Sequence, residues 1–99
     1  MNFISITGNS TKDGELLTFG ENKACKFTIA DNYKKKGEEH VNYFECIAWG
    51  KTAEFAAEYI KKGSNVCVFG KVEISQYETA EGVKKNQIQL TVSEFKAWK

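Results

Sequence analysis

A small all-β barrel with one helix is the fold class this sequence predicts, and three observations carry the expectation. Five segments read as strands, four alternating apolar and polar residues with a period of two and the third largely apolar at both parities. A single segment, between the third and fourth of them, has helical spacing instead. The chain has 99 residues, enough to bury one modest core but not two. One domain is therefore expected over residues 1–99.

The first strand is read at Ile4 and Ile6, alternating with Ser5 and Thr7. Residues 8–22 are rich in Gly, Asn, Ser and Thr and read as a loop, with a short extended piece at Leu16-Leu17. Cys25, Phe27 and Ile29 alternate with Lys26 and Thr28 as the second strand. Asp31 to Glu39 is polar, carries Lys34-Lys35-Lys36 and Gly37, and reads as an exposed hairpin loop. The third strand runs from about Val41 to Trp49 and is largely apolar at both parities. Such a strand covers a core on one side and a ligand or partner chain on the other.

Ala53, Ala56, Ala57 and Ile60 fall at i, i+3, i+4 and i+7, an amphipathic helix. Thr52 is the expected N-cap and Glu54 suits the first turn. Lys61 and Lys62 suit the last turn, and Gly63 suits a left-handed position just past it. Val66, Val68, Val72 and Ile74 share one parity of a long fourth strand, with Lys71, Glu73, Ser75 and Tyr77 on the other. Gly70 lies where a barrel strand needs to bend. Residues 79–85 form a turn, and Ile88, Leu90 and Val92 mark the fifth strand. The order β-β-β-α-β-β is that of the five-stranded oligonucleotide/oligosaccharide-binding (OB) barrel.

Composition limits the functions open to such a barrel. At 41% hydrophobic and 27% charged, the chain has the make-up of a folded protein. Fourteen lysines oppose thirteen acids, so any nucleic-acid affinity must come from local placement rather than net charge. There is no arginine, hence no bidentate fork for reading guanine edges. No membrane-length apolar stretch or signal-peptide pattern occurs, and a cytoplasmic location is expected. Cys25, Cys46 and Cys67 each lie inside a strand pattern and read as reduced core residues.

The chemistry-bearing feature is aromatic. Trp49 ends a strand pattern and is followed by Gly50-Lys51 and the helix. Tyr33, Tyr43, Trp49 and Tyr77 are well spaced and interleaved with lysines. Aromatic faces stack bases while ammonium groups hold phosphates, a combination suited to single strands. The candidate phosphate contacts are Lys34, Lys35, Lys36, Lys51, Lys71, Lys84 and Lys85. Against a platform stands the plain preference of aromatics for half-buried strand positions. Gly50-Lys51-Thr52 resembles the end of a P-loop, but Glu45 occupies the position of its first glycine. His40 is the sole histidine and no CxxC spacing exists, so neither a metal site nor a Cys–His nucleophile is expected. No cofactor and no catalytic constellation are expected.

The motifs together resemble the bacterial and phage single-stranded-DNA-binding protein family. They are Ile6-Thr7-Gly8-Asn9 followed by Thr11-Lys12-Asp13-Gly14-Glu15-Leu16, Cys25-Lys26-Phe27-Thr28-Ile29-Ala30, Tyr43 through Lys51, Ala53-Glu54 onward to Tyr59-Ile60-Lys61-Lys62-Gly63-Ser64, and Gly70-Lys71-Val72. The resemblance implies sequence-tolerant single-stranded DNA binding in replication, recombination or repair. It also implies that Tyr33, Tyr43, Trp49 and Tyr77 occupy the family's stacking positions. It implies a homotetramer, with a dimer as alternative, in which the first strand pairs two subunits and sheet faces join the dimers. The family's acidic tip does not follow Phe95-Lys96-Ala97-Trp98-Lys99, so tail-mediated recruitment of repair enzymes is not expected. A second reading is a dimeric OB interaction module similar to primosomal replication protein N. A third is an RNA-binding OB module.

Overall fold

Seven elements follow one another in a computed structural model that describes residues 1–98, apart from the side chain of Ser75. They are β1 (Ile4–Ser10), β2 (Glu15–Phe19), β3 (Asn22–Lys35), β4 (Glu38–Trp49), α1 (Lys51–Tyr59), β5 (Asn65–Glu78) and β6 (Lys84–Trp98). The sheet order is β1-β5-β6-β4-β3-β2. It closes because β1 also pairs with β3, through Asn9↔Ala30 and Ser10↔Ile29. The closed ring β1-β5-β6-β4-β3 is the five-stranded OB barrel, with β2 added outside it on β3. All pairings are antiparallel except β4–β6, where Cys46↔Leu90 and Ala48↔Val92 run parallel.

The inward parity of each strand fills the barrel. Cys25, Phe27 and Ile29 from β3, Cys46 and Ala48 from β4, Val66 and Val68 from β5, and Leu90 and Val92 from β6 are all buried. Removing such large apolar side chains from water contributes about 1.5–3 kcal/mol each. Helix α1 adds Ala53 and Ala56, and Ile60 just past it joins the same cluster. Alanine at the contact lets the helix axis approach the strands closely. Gly70 allows the bend the sequence predicts. The β5–β6 register slips between Phe69 and Gly70, and a Cβ on Gly70 would collide with the carbonyl of Thr91.

Five local expectations are corrected. Residues 8–22 are not all loop, because Glu15–Phe19 is a strand paired with β3 from Glu15↔Lys26 to Phe19↔Asn22. Leu16 is exposed on that edge strand, so no buried alternation signals it. Residues 31–39 are not a loop either. The β3–β4 ladder continues unbroken to Lys35↔Glu38 and turns only at Lys36 and Gly37, whose φ values are 52° and 81°. Positive φ at both central residues is the type I′ hairpin geometry, which matches strand twist. Thr52 does not cap α1: Gly50 takes that position, with φ 63° and no side-chain cap bond. Lys61 and Lys62 lie beyond the last turn, but Lys61 Nζ still donates to the Ala57 carbonyl at 3.2 Å. Finally, β6 runs on to Trp98, so the last residues pair with the start of β5.

Candidate nucleic-acid interface

The pleat of β4 decides which side chains face outward. Phe44, Cys46 and Ala48 turn into the barrel, so Tyr43, Glu45, Ile47 and Trp49 turn out of it. The β3–β4 register sets Tyr43 beside Ala30, Glu45 beside Thr28, and Trp49 beside Ala24. Tyr43 is 65% exposed and Trp49 46%. A large, rigid, half-exposed ring backed by a packed wall is held ready to accept a flat partner.

Beyond the barrel the strands continue as two ribbons. The first, residues 31–42, carries Tyr33 directly opposite His40, with ring centroids 5.4 Å apart and stacked. Tyr33 is three positions along from Ala30, the neighbour of Tyr43, so Tyr33 lies on the opposite ribbon face from Tyr43. Lys34 faces Glu39 and Lys35 faces Glu38 across the ribbon, and Lys36 stands in the turn. The second ribbon, residues 74–88, carries Tyr77 opposite Lys85. Lys71 shares that face but pairs with Glu73 at 3.3 Å. Lys84, opposite Glu78, lies on the other face with Ile74 and Ile88. Lys51 is exposed at the first turn of α1, one glycine from Trp49.

Between the ribbons lies an open groove of about 510 Å³ that brings Tyr43 and Tyr77 together with Thr28, Asn86 and Ile88. A second groove of about 280 Å³ continues along the barrel wall, lined by Lys12, Glu15, Lys26, Glu45, Gln87 and Gln89. Gln87 Nε2 donates to Glu45 Oε2 at 3.0 Å, joining the two ribbons' roots across the groove. Lys12 and Lys26 are absent from the lysines singled out by sequence. For Lys26 the signal was present, since it shares the outward parity with Thr28 in a strand whose inward residues are Cys25, Phe27 and Ile29. Lys12 lies in the stretch Thr11-Lys12-Asp13-Gly14-Glu15-Leu16 that shares in the family resemblance, but only the fold brings that segment to the groove. Phe19 was also missed. It is half exposed and lies 5.9 Å from the Trp49 ring, tilted by 45°.

Electrostatics separate free from committed cations. Lys23 Nζ donates to Glu54 Oε1 at 2.8 Å, and that hydrogen bond and charge hold the Glu54 carboxyl below its ordinary range. Burial and then Glu45 push the Cys46 thiol up to about 12, and burial likewise raises Cys25. Both thiols are thus inert core groups. Among the described residues no cluster of His, Cys, Asp or Glu could hold a metal ion. No helix there is long and apolar enough to cross a membrane.

The single-strand binding protein family model matches residues 1–98. The chain belongs to that family. Family membership agrees with the expectation that the chain is not an enzyme, since these are non-enzymatic DNA-binding proteins. A single-stranded DNA-binding protein of Clostridium perfringens is 36% identical over 97 residues, 96% of this chain and 64% of that protein. One from Fusobacterium nucleatum is 37% identical over 90 residues, 85% of this chain and 58% of that protein. Single-stranded DNA-binding protein 2 of Clostridium acetobutylicum is 30% identical over 100 residues, covering 97% and 75%. The chain thus spans less than two thirds of the first two relatives.

Proposed function

We propose that residues 1–99 form a sequence-tolerant single-stranded-DNA-binding domain that protects strands exposed in replication, recombination or repair. The observation that carries this reading is the placement of Tyr43 and Trp49 on the outer barrel wall, half exposed, with Tyr77 across the groove from Tyr43. Bases stack on Tyr33, Tyr43, Trp49 and Tyr77, and Lys34, Lys35, Lys36, Lys51, Lys71, Lys84 and Lys85 meet phosphates. Duplex DNA is refused because its base faces are already stacked. The family membership and the names of the relatives support the ligand. The protein works in the cytoplasm, at the nucleoid.

It does so as a homo-oligomer, with a tetramer preferred to a dimer. Among the described residues, Ile4–Gly8 pair only with β5, so the other edge of β1 is open to a second copy. Phe3, stacked on Phe69, and Phe55, stacked on Tyr59, are also exposed. Native mass decides between the tetramer and a dimeric interaction module.

The test is tryptophan fluorescence during titration with oligo-dT at two salt concentrations. Trp98, on β6, supplies background. Quenching by the single strand, weaker at high salt and absent with duplex, is the expected result. No quenching and no competition would sink the reading and leave the aromatic wall as a protein interface.

A further inference from the structure

We infer that Phe19 is a base-contacting residue, so that the single-strand path continues past Trp49 onto the outer edge of β2. The inference rests on the proposed function and adds a contact that none of the four stacking candidates includes. Leu17 pairs with Ala24 and Ala24 with Trp49, which aligns the three side chains on one outward face. Phe19, two residues beyond Leu17, shares that face.

The ring geometry determines what this corner can hold. Centroids 5.9 Å apart and planes tilted by 45° leave no slot for a base between the rings. They form a bent apolar step with two outward faces instead, and both residues remain about half exposed, 50% for Phe19 and 46% for Trp49. A base lying on the indole would have its neighbour over the phenyl ring. Consecutive nucleotides of a curved single strand meet such a step as a pair.

Charge marks the occupant. The groove along the outer wall, one cross-strand row from Trp49, contains Lys12 and Lys26 with Glu15 and Glu45 beside them, and Lys51, one glycine beyond Trp49, adds a cation at the corner itself. Lys26 neighbours Ile47 on the same face. A polyanion tracked by these ammonium groups is delivered to the two rings. Phe19 also belongs to an exposed five-residue edge strand whose sequence shows no buried alternation, so nothing in the core requires an aromatic there.

The experiment uses the full chain and its variants F19A, F19L and F19W, with two probes. One is oligo-dT and the other an abasic deoxyribose-phosphate strand of equal length. Phe19→Ala is expected to weaken oligo-dT binding about 5-fold or more, as for one lost base stack. Phe19→Leu, which keeps apolar volume but no aromatic face, weakens it too, and Phe19→Trp retains or strengthens it. The abasic strand is bound equally by all four proteins. Equal loss on both strands, or parental affinity in Phe19→Leu, would overturn the inference and make Phe19 a prop for Trp49. Circular dichroism melting checks that each variant folds. If the parent chain itself ignores oligo-dT, the failure belongs to the proposed function.

Discussion

Tyr43 and Trp49 stand on the barrel wall, whereas Tyr33 and Tyr77 stand on two-stranded ribbons that project from it. The four have similar exposure, from 40% to 65%, so accessibility does not separate them. What lies behind them does. Phe44, Cys46 and Ala48 anchor the wall residues from the inner side of the same strand. Behind Tyr33 lies only the ribbon, held by its own ladder and by stacking on His40. An isolated two-stranded ribbon is marginal in water, and ordering it on a ligand costs free energy that a preformed wall has already spent in folding. The wall is preformed by the core packed behind it, whereas each ribbon rests on its own ladder.

The sharpest way to break this comparison is to remove the wall's backing. Phe27→Ala empties the centre of the barrel and is expected to lower stability by about 3–5 kcal/mol, read by chemical denaturation. Next comes Trp49→Ala, which should weaken oligo-dT binding by about 1–3 kcal/mol with little change in melting temperature. A lowered melting temperature with unchanged affinity would make Trp49 structural. Tyr33→Ala should cost less, below about 1 kcal/mol, because ordering its ribbon offsets part of the stacking gain. Equal losses at Tyr33 and Trp49 would remove the distinction between wall and ribbon.

Smaller effects test the charges. Replacing Lys34 and Lys35 by Gln should flatten the log–log salt dependence of binding by about 0.7 for each lysine that meets a phosphate. Glu38 and Glu39 face these lysines, so the Glu38→Gln, Glu39→Gln pair should tighten binding at low salt. A pH-dependent effect lies at the inner side of the wall. Cys46 is raised to about 12, so its neutral thiol is favoured in the fold. Its contribution is fully present below the ordinary thiol value near ~8.5 and is lost as pH rises through about 12. Cys46→Ala should therefore flatten the alkaline fall in stability between those limits, measured by thermal melts across that window.

Most of the barrel was legible because its strands are half-buried. Alternation at Cys25, Phe27 and Ile29, and at Val66 and Val68, appears wherever one face meets the core. It disappears where neither face does. Thus β2 showed only as a short extended piece at Leu16-Leu17, and the outer ends of β3 and β4 read as a loop, although Lys35↔Glu38 still belongs to the ladder. The Lys36-Gly37 turn was obscured because lysine is an unusual residue at positive φ. Thr52 was a reasonable cap by residue type, yet the sharp turn at Gly50 starts the helix two residues earlier.

The same division holds for the candidate interface. Local pattern along the chain determined the fold class, the helix and the inward residues of the alternating strands, because each depends on neighbours a few positions away, whereas β4 is apolar at both parities and its outward face, with Tyr43 and Trp49, was decided by the closed sheet. Only the closed sheet decided that Tyr77 comes to face Tyr43, that Lys12 enters the groove, that Tyr33 lies on the far face of its ribbon, and that Phe19 meets Trp49. Those relations depend on register and strand order between segments distant in sequence. They are set by the summed burial of the core, which no single segment encodes.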